Sequence, residues 1–370
     1  MSAYLSWGSA IFTFMVFCGV FFVGEQVSNL TKGIFGTGFV GAILFIALYW
    51  TGIMPTDAVA NTGLVAMLSK LFIPMLIVNL GTMISLNDML KEWKTILTAL
   101  AGFVTLALFA YTLGIMLLGR EYALVGACPI SGGTIAGVIA QETCEAAGRP
   151  ELGAYAMLLV SLQGLVAMPC AAACLRMVGS KLIKENADLD HLGGESKVNI
   201  NIRVIKTWPA KFQSYFFGLM RIAAVAVVGN VLSGVTGGKL NVNIAYLIVG
   251  ILFTELGFLD KQHLTKANAY GFVMVSLFSL TANSMGALTP ESLKEMLLPI
   301  VAMLIFGIIA LGIGGAIVGK LFGYERPLGF AIGACAMLGY PSTQIVTDDV
   351  CKALECSDEE KDKIRNYLLP

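Results

Sequence analysis

Residues 128–142 read CPISGGTIAGVIAQE, and they sit in the middle of a hydrophobic run. The stretch carries Pro129, three glycines, a serine and a threonine. Glycine costs about 1 kcal/mol against alanine inside a helix, so Ser131-Gly132-Gly133-Thr134 predicts an interruption, not a continuous span. Peptide groups freed at membrane depth need partners within the protein or a wet cavity, because lipid offers none. Such an interruption is a candidate site for an ion or a small polar solute. A second stretch, 333–349, reads GACAMLGYPSTQIVTDD, and Gly339-Tyr340-Pro341-Ser342-Thr343 stands at the place of the first break.

The whole chain supplies the setting. Of 370 residues, 57% are hydrophobic and 13% charged, with a mean hydropathy of +0.80. Water-soluble domains carry about 25% charged residues. The composition therefore predicts an all-α, multi-pass membrane protein. Net charge is zero, which gives no electrostatic basis for binding nucleic acid. The eight cysteines are scattered without CxxC spacing, and Cys128, Cys170, Cys174 and Cys335 lie in apolar runs, where cysteine acts as a small hydrophobe. No basic leader or small-residue cleavage site precedes 11–22, which reads as a retained first span.

Eleven hydrophobic segments are predicted, at 6–27, 36–53, 64–84, 96–118, 122–146, 153–178, 214–235, 242–259, 269–287, 296–321 and 328–353. The polar stretch 181–213 reads as a loop between a first membrane repeat, 1–180, and a second, 214–370. An offset of about 207 residues pairs Asn61 with Asn268, Ser85-Leu86 with Ser292-Leu293, Met89-Leu90 with Met296-Leu297, Gly126-Ala127-Cys128 with Gly333-Ala334-Cys335, and Gly132 with Gly339. In each half a polar turn ending in Leu-Lys-Glu (90–92 and 293–295) precedes a long span. A short charged turn (Arg120-Glu121, Glu325-Arg326) and then the interrupted segment follow. After its interruption the first half continues into 153–178. The second ends near 367–370, so the sequence reads as lacking one last helix, with 358–361 as a loop.

The distribution of Lys and Arg bears on topology. With both interrupted segments entering and leaving on one side, Lys32, Lys91, Lys94, the basic residues of the long loop, Lys261, Lys266, Lys320 and Arg326 share one face. Arg120, Arg149, Lys239 and Lys294 take the other. That asymmetry predicts a cytoplasmic loop and two inverted halves.

This order of features, with Ile130-Ser131-Gly132-Gly133-Thr134 inside a crossing segment and a long central loop, resembles the bacterial glutamate–sodium symporters. More distantly it is similar to the bile-acid–sodium, 2-hydroxycarboxylate and ketodeoxygluconate transporters. In the glutamate symporters His-Gly follows the SGG; here Thr134-Ile135 stand instead. The resemblance implies an inverted-repeat fold in the bacterial inner membrane, and a transport domain holding both broken helices. It also implies a scaffold domain that forms a homodimer, and an elevator-type movement of one domain against the other.

The residues themselves suggest the chemistry. Helix would resume at 132–136 and at 342–345, and half-helix N-termini present free N–H groups and partial positive charge to a carboxylate. Ser131, Thr134, Ser342 and Thr343 add hydroxyls. Carbonyls freed near Ile130, Ser131, Leu338 and Gly339 suit Na⁺, a hard cation that prefers oxygen. Asn79 and Thr82 on one span, and Thr281, Asn283 and Ser284 on its repeat mate, are either ligands or helix–helix glue. Gln141, Glu142, Asp348 and Asp349 end the second half-helices, and Gln163 and Glu255 are further polar candidates.

The predicted activity is sodium-coupled symport of a small organic anion or amino acid, with Na⁺ as coupling ion and no other cofactor. The alternative is a cation–proton antiporter of the same broken-helix type, which needs a carboxylate beside the crossing. An enzyme is not expected: His191 and His263 are the only histidines, and neither HExxH nor a serine nucleophile with a histidine partner occurs. A structural membrane protein without a substrate site would leave two matched interruptions without a reason.

Overall fold

The computed structural model describes residues 6–31, 36–184, 203–205, 208–209, 214–237, 239–339, 342–354 and 356–368. Most of 181–213 lies outside them, as do the candidate residues Tyr340 and Pro341; of Ser342 the backbone alone is described.

All regular structure among the described residues is helical. In chain order the helices are α1 (Ala10–Leu30), α2 (Thr37–Trp50), α3 (Ala58–Asn61), α4 (Leu64–Met67), α5 (Ile73–Gly81) and α6 (Leu86–Lys91). Next come α7 (Trp93–Phe109), α8 (Ile115–Leu118), α9 (Arg120–Ala146), α10 (Pro150–Lys184), α11 (Tyr215–Val235) and α12 (Val242–Glu255). The last are α13 (His263–Lys266), α14 (Tyr270–Met285), α15 (Pro290–Leu321), α16 (Arg326–Leu338), α17 (Ser342–Lys352) and α18 (Asp358–Leu368). Single π-helical turns, Leu68–Phe72 and Ala110–Gly114, join α4 to α5 and α7 to α8.

Seven helical stretches are long and apolar enough to cross a membrane. Their outward faces carry large apolar side chains, among them Met116, Phe216 and Leu321, each more than three-quarters exposed. Apolar surface on that scale is stable only when covered, and lipid covers it.

Several local expectations change: Leu90-Lys91 closes α6 and Arg120-Glu121 opens α9, where turns were expected. Leu293-Lys294-Glu295 is not a turn but lies in the first turns of α15, which starts earlier because Thr289 and Ser292 form a capping box. Residues 358–361 are likewise helical. Ser357 and Glu360 cap α18 reciprocally: the Ser357 N–H donates to Glu360 Oε2 (2.8 Å) and the Glu360 N–H to Ser357 Oγ (3.3 Å).

The chain divides into two compact units, each drawn from both halves of the sequence. The first comprises Met1–Phe14, Asp57–Lys91 and Ser196–Leu280. Here α5 and α12 cross at glycines: a Cβ on Gly250 would lie 2.4 Å from the Val78 carbonyl oxygen, and one on Gly81 2.7 Å from that of Leu247. Without side chains at the crossing, the backbones touch, which is how helices associate where hydrophobic burial gives no drive. A polar cluster ties α5 and α11 to α13. Asn79 Oδ1 accepts the Leu264 N–H (2.8 Å), and Thr82 Oγ1 accepts the His263 N–H (3.4 Å). His263, almost fully buried, accepts the Asp260 N–H at Nδ1 (3.2 Å), so Nε2 carries the proton and donates to the Gly218 carbonyl (2.9 Å). Arg221 holds the Phe258 carbonyl and Asp260 Oδ2 at 2.9 and 3.0 Å and lies beside the mutually packed rings of Trp208 and Phe217.

The second unit comprises Met15–Thr56, Glu92–Glu195 and Thr281–Pro370. Phe17 and Phe21 of α1 stack on Phe45 of α2. The Tyr49 hydroxyl of α2 donates to the Ala282 carbonyl (3.2 Å). Small residues again set the close crossings. A Cβ on Gly315 of α15 would stand 2.2 Å from the Gly329 carbonyl of α16, and one on Gly333 2.2 Å from the Leu311 carbonyl. Both helices present glycines four apart, Gly315 with Gly319 and Gly329 with Gly333, and these lie at the crossing.

Two consequences are testable. Gly250→Val should lower the thermal unfolding midpoint of detergent-solubilised protein by several degrees, since overpacking costs about 1–3 kcal/mol. Gly19→Val, where a side chain meets nothing within 4 Å, should leave it within about a degree, the scale of a surface substitution. Burial holds the His263 imidazole below its ordinary value, against the opposing pull of the Gly218 carbonyl. The unfolded chain then binds this proton first. Stability from this group is full above about pH 6.5 and declines as pH falls from there through the lower folded value. Unfolding midpoints measured from pH 8 to pH 5 should show that decline, and His263→Gln should reduce it.

Candidate functional site

The candidate site lies in the second unit and is built on α10. Helix α9 is not one straight rod: Gly132 (φ −141°, ψ 18°) and Gly133 (φ 63°, ψ −149°) leave helical geometry. The Gly133 angles fall in a region that essentially only glycine occupies, because a Cβ there clashes with the backbone. The two ends of α9 are joined to each other. Arg149, just beyond its C-terminus, donates from Nη1 and Nη2 to the two carboxylate oxygens of Glu121, in its first turn, at 2.7 Å each. A straight helix of 27 residues would hold those ends about 40 Å apart. The chain therefore folds back on itself at Gly132–Gly133.

Both arms lie on α10. On the first, a Cβ at Gly126 would meet Tyr155 and Leu159, and the Tyr155 hydroxyl donates to the Tyr122 carbonyl (3.2 Å). On the second, Gly137 sits against Val160, and Gln141 against Gly153. Between them, at the turn, Gly133 faces Gln163. Helix α9 thus enters and leaves beside the N-terminal part of α10.

The second interrupted stretch uses the other end of α10. Helix α16 stops at Leu338, Gly339 takes φ 68° and ψ 174°, and helix resumes at Ser342. Gly339 occupies the same glycine-only region as Gly133, one residue away from the Gly132–Gly339 pairing of the sequence offset. Glu325, capping α16, pairs with Lys181 Nζ at 3.0 Å. Leu354, just past α17, packs so close to Gly179 that a Cβ there would lie 2.8 Å from Leu354 Cδ1. The start of α16 and Leu354, two residues past α17, therefore both lie beside the C-terminal part of α10. The two turns meet midway: a Cβ on Gly133 would be 3.5 Å from the Leu338 carbonyl oxygen and 3.9 Å from Gln163 Nε2.

The predicted site residues separate by location. Gly132, Gly133, Leu338 and Gly339 lie at the two turns. Ser131 precedes the first, but its hydroxyl donates back to the Cys128 carbonyl (2.8 Å). Thr134, just after the turn, is exposed. Ile130 is fully buried, its side chain pressed on Gly307. The Gly339 carbonyl accepts the Thr343 N–H (3.2 Å) and so begins α17, while the Thr343 carbonyl accepts the Thr347 hydroxyl (3.1 Å). Asn283 is half-buried, and its neighbour Ser284 receives a hydrogen bond from Gln141 Nε2, which also reaches Glu145 Oε1 (2.7 Å). Asn79, in the first unit, has its amide oxygen occupied by α13, as helix–helix glue requires. Glu255 accepts the Leu86 N–H (2.9 Å) and caps α6. Asp348 pairs with Arg365 and Asp349 with Lys352, so both end α17 in ion pairs.

Gln163 was only a secondary candidate by sequence, as one amide in a long apolar run. In the structure it is 4% exposed and its Oε1 has no hydrogen-bond partner. Leaving a buried amide oxygen unpaired costs roughly 2–7 kcal/mol, depending on the reference medium. The Glu121–Arg149 bridge was not anticipated. Its only trace in the sequence is a pair of opposite charges flanking one apolar run.

The fold-back has a direct test. With Cys128 and Cys144 changed to serine, Glu121→Cys and Arg149→Cys should be joined by a short thiol-specific cross-linker in membranes. An uninterrupted helix would leave them unlinked. No protein-family model matches the chain, and no curated protein matches it.

Proposed function

We propose that this protein is a sodium-coupled symporter of a small organic anion or amino acid, working by elevator-type alternating access. One observation carries the reading: two glycine turns, at Gly133 and Gly339, reach the middle of α10 from its opposite ends. On this reading α9 and the α16–α17 pair are re-entrant hairpins of two inverted repeats. Each would open to one side of the membrane, with their turns at the midplane. Helix N-termini just after each turn would face a carboxylate, and the carbonyls before each turn would face Na⁺. Irregular backbone at that depth is stable when it lines a cavity, and solute binding is what such a cavity is for.

The division into two compact units supports the elevator form of the mechanism. The unit holding both glycine turns would carry the solute, and the other would be the fixed, dimer-forming part in a bacterial inner membrane. The antiporter alternative requires an unpaired carboxylate at the turns. Asp348 and Asp349 are paired beyond them, which favours symport.

Proteoliposomes offered labelled mono- and dicarboxylates and amino acids should accumulate one of them only with an inward sodium gradient. Thr134→Ala and Gly339→Ala should each cut that uptake at least tenfold, about 1.4 kcal/mol in binding terms. Sodium-driven proton movement without any organic solute would instead identify an antiporter.

A further inference from the structure

The side chain best placed to bind the coupling ion is the one with nothing to bind. Gln163 is 4% exposed, and no hydrogen bond satisfies its Oε1. Packing does not force that arrangement, since a leucine or methionine would fill the volume without an unpaired oxygen. The amide lies opposite Gly133, where it shares a small space with the Leu338 carbonyl. Both come within 4 Å of the one point a Cβ on Gly133 would occupy. Glycine keeps that point empty.

The geometry points to a monovalent cation site between Gln163 and Leu338, with the Gln163 carboxamide oxygen as its side-chain ligand. The inference rests on the symport reading above and makes this ion the coupling Na⁺. A carboxamide turns by half a rotation about its terminal bond at little cost, so Oε1 can be directed to the Leu338 carbonyl side. In the structure it is Nε2 that lies toward this space; with the amide turned, two neutral oxygens would share it, and they would repel each other unless a positive charge lay between them. Hard cations take such oxygens. Among the described residues no group of three or more His, Cys, Asp or Glu is assembled anywhere to hold a metal. A neutral oxygen set of this kind compensates one positive charge better than two. Gln141, the other buried glutamine of the unit, donates from Nε2 to Ser284 and Glu145, whereas neither end of the Gln163 amide has such a side-chain partner.

The test uses the full chain in detergent, with thermal unfolding followed as NaCl replaces choline chloride at constant ionic strength and no solute present. A cation that binds only the folded protein raises the midpoint with concentration. Wild type should show that rise. Gln163→Leu should raise the apparent sodium Kd at least about tenfold, a loss of about 1.4 kcal/mol, while unfolding in choline no earlier than wild type. Gln163→Glu should retain the response and make it pH-dependent, which separates ligation from simple packing. Should Gln163→Leu keep both the sodium-dependent midpoint and the apparent sodium affinity of uptake, the assignment to Gln163 is overturned and the transport reading stands. Should wild type show neither sodium stabilisation nor sodium-stimulated uptake, both fall.

Discussion

A peptide group surrounded by lipid has no solvent to turn to, and this constraint governs the whole molecule. Helix satisfies it over most of the seven long apolar stretches, Arg120–Ala146 being interrupted at Gly132–Gly133. The departures from helix are therefore the informative places. The most consequential are the turns at Gly133 and Gly339, where the backbone takes angles that glycine alone tolerates. Gly133 is buried beside Gln163 and the Leu338 carbonyl, and Gly339 is half-buried, its carbonyl receiving the Thr343 N–H of the first turn of α17.

Close packing of backbones makes that arrangement possible. Lipid tails are as apolar as leucine, so burial alone does not bring helices together. Glycine takes over that role at several crossings. Gly81 with Gly250 in one unit, and Gly315 with Gly329 in the other, bring main chains into direct contact. The same residue type thus has two opposite uses. At Gly315 it permits approach within a regular helix; at Gly133 it permits a backbone no other residue would adopt.

Polar side chains follow the same logic. Asn79, Thr82, His263 and Arg221 are buried, and their hydrogen bonds organise α13 and the turn before it. They serve stability. Gln163 is buried too, but its oxygen is unpaired. On the proposed reading, the cost of the unpaired amide is recovered when the ion arrives.

Much of the architecture was legible before any coordinates. Helix content and the long apolar segments follow from hydropathy and helix propensity, which act over a few residues. The start of α15 and the presence of α18 have local signals as well, in Thr289–Ser292 and Ser357–Glu360, within charged stretches that otherwise read as turn and loop. Four matters depended on the tertiary structure: that α9 folds back so that Glu121 meets Arg149, that both turns reach the same level of α10, that Asn79 is bonded away, and that Gln163 is not. Each depends on which groups far apart in the chain come within hydrogen-bonding distance, and local propensity carries no information about that distance.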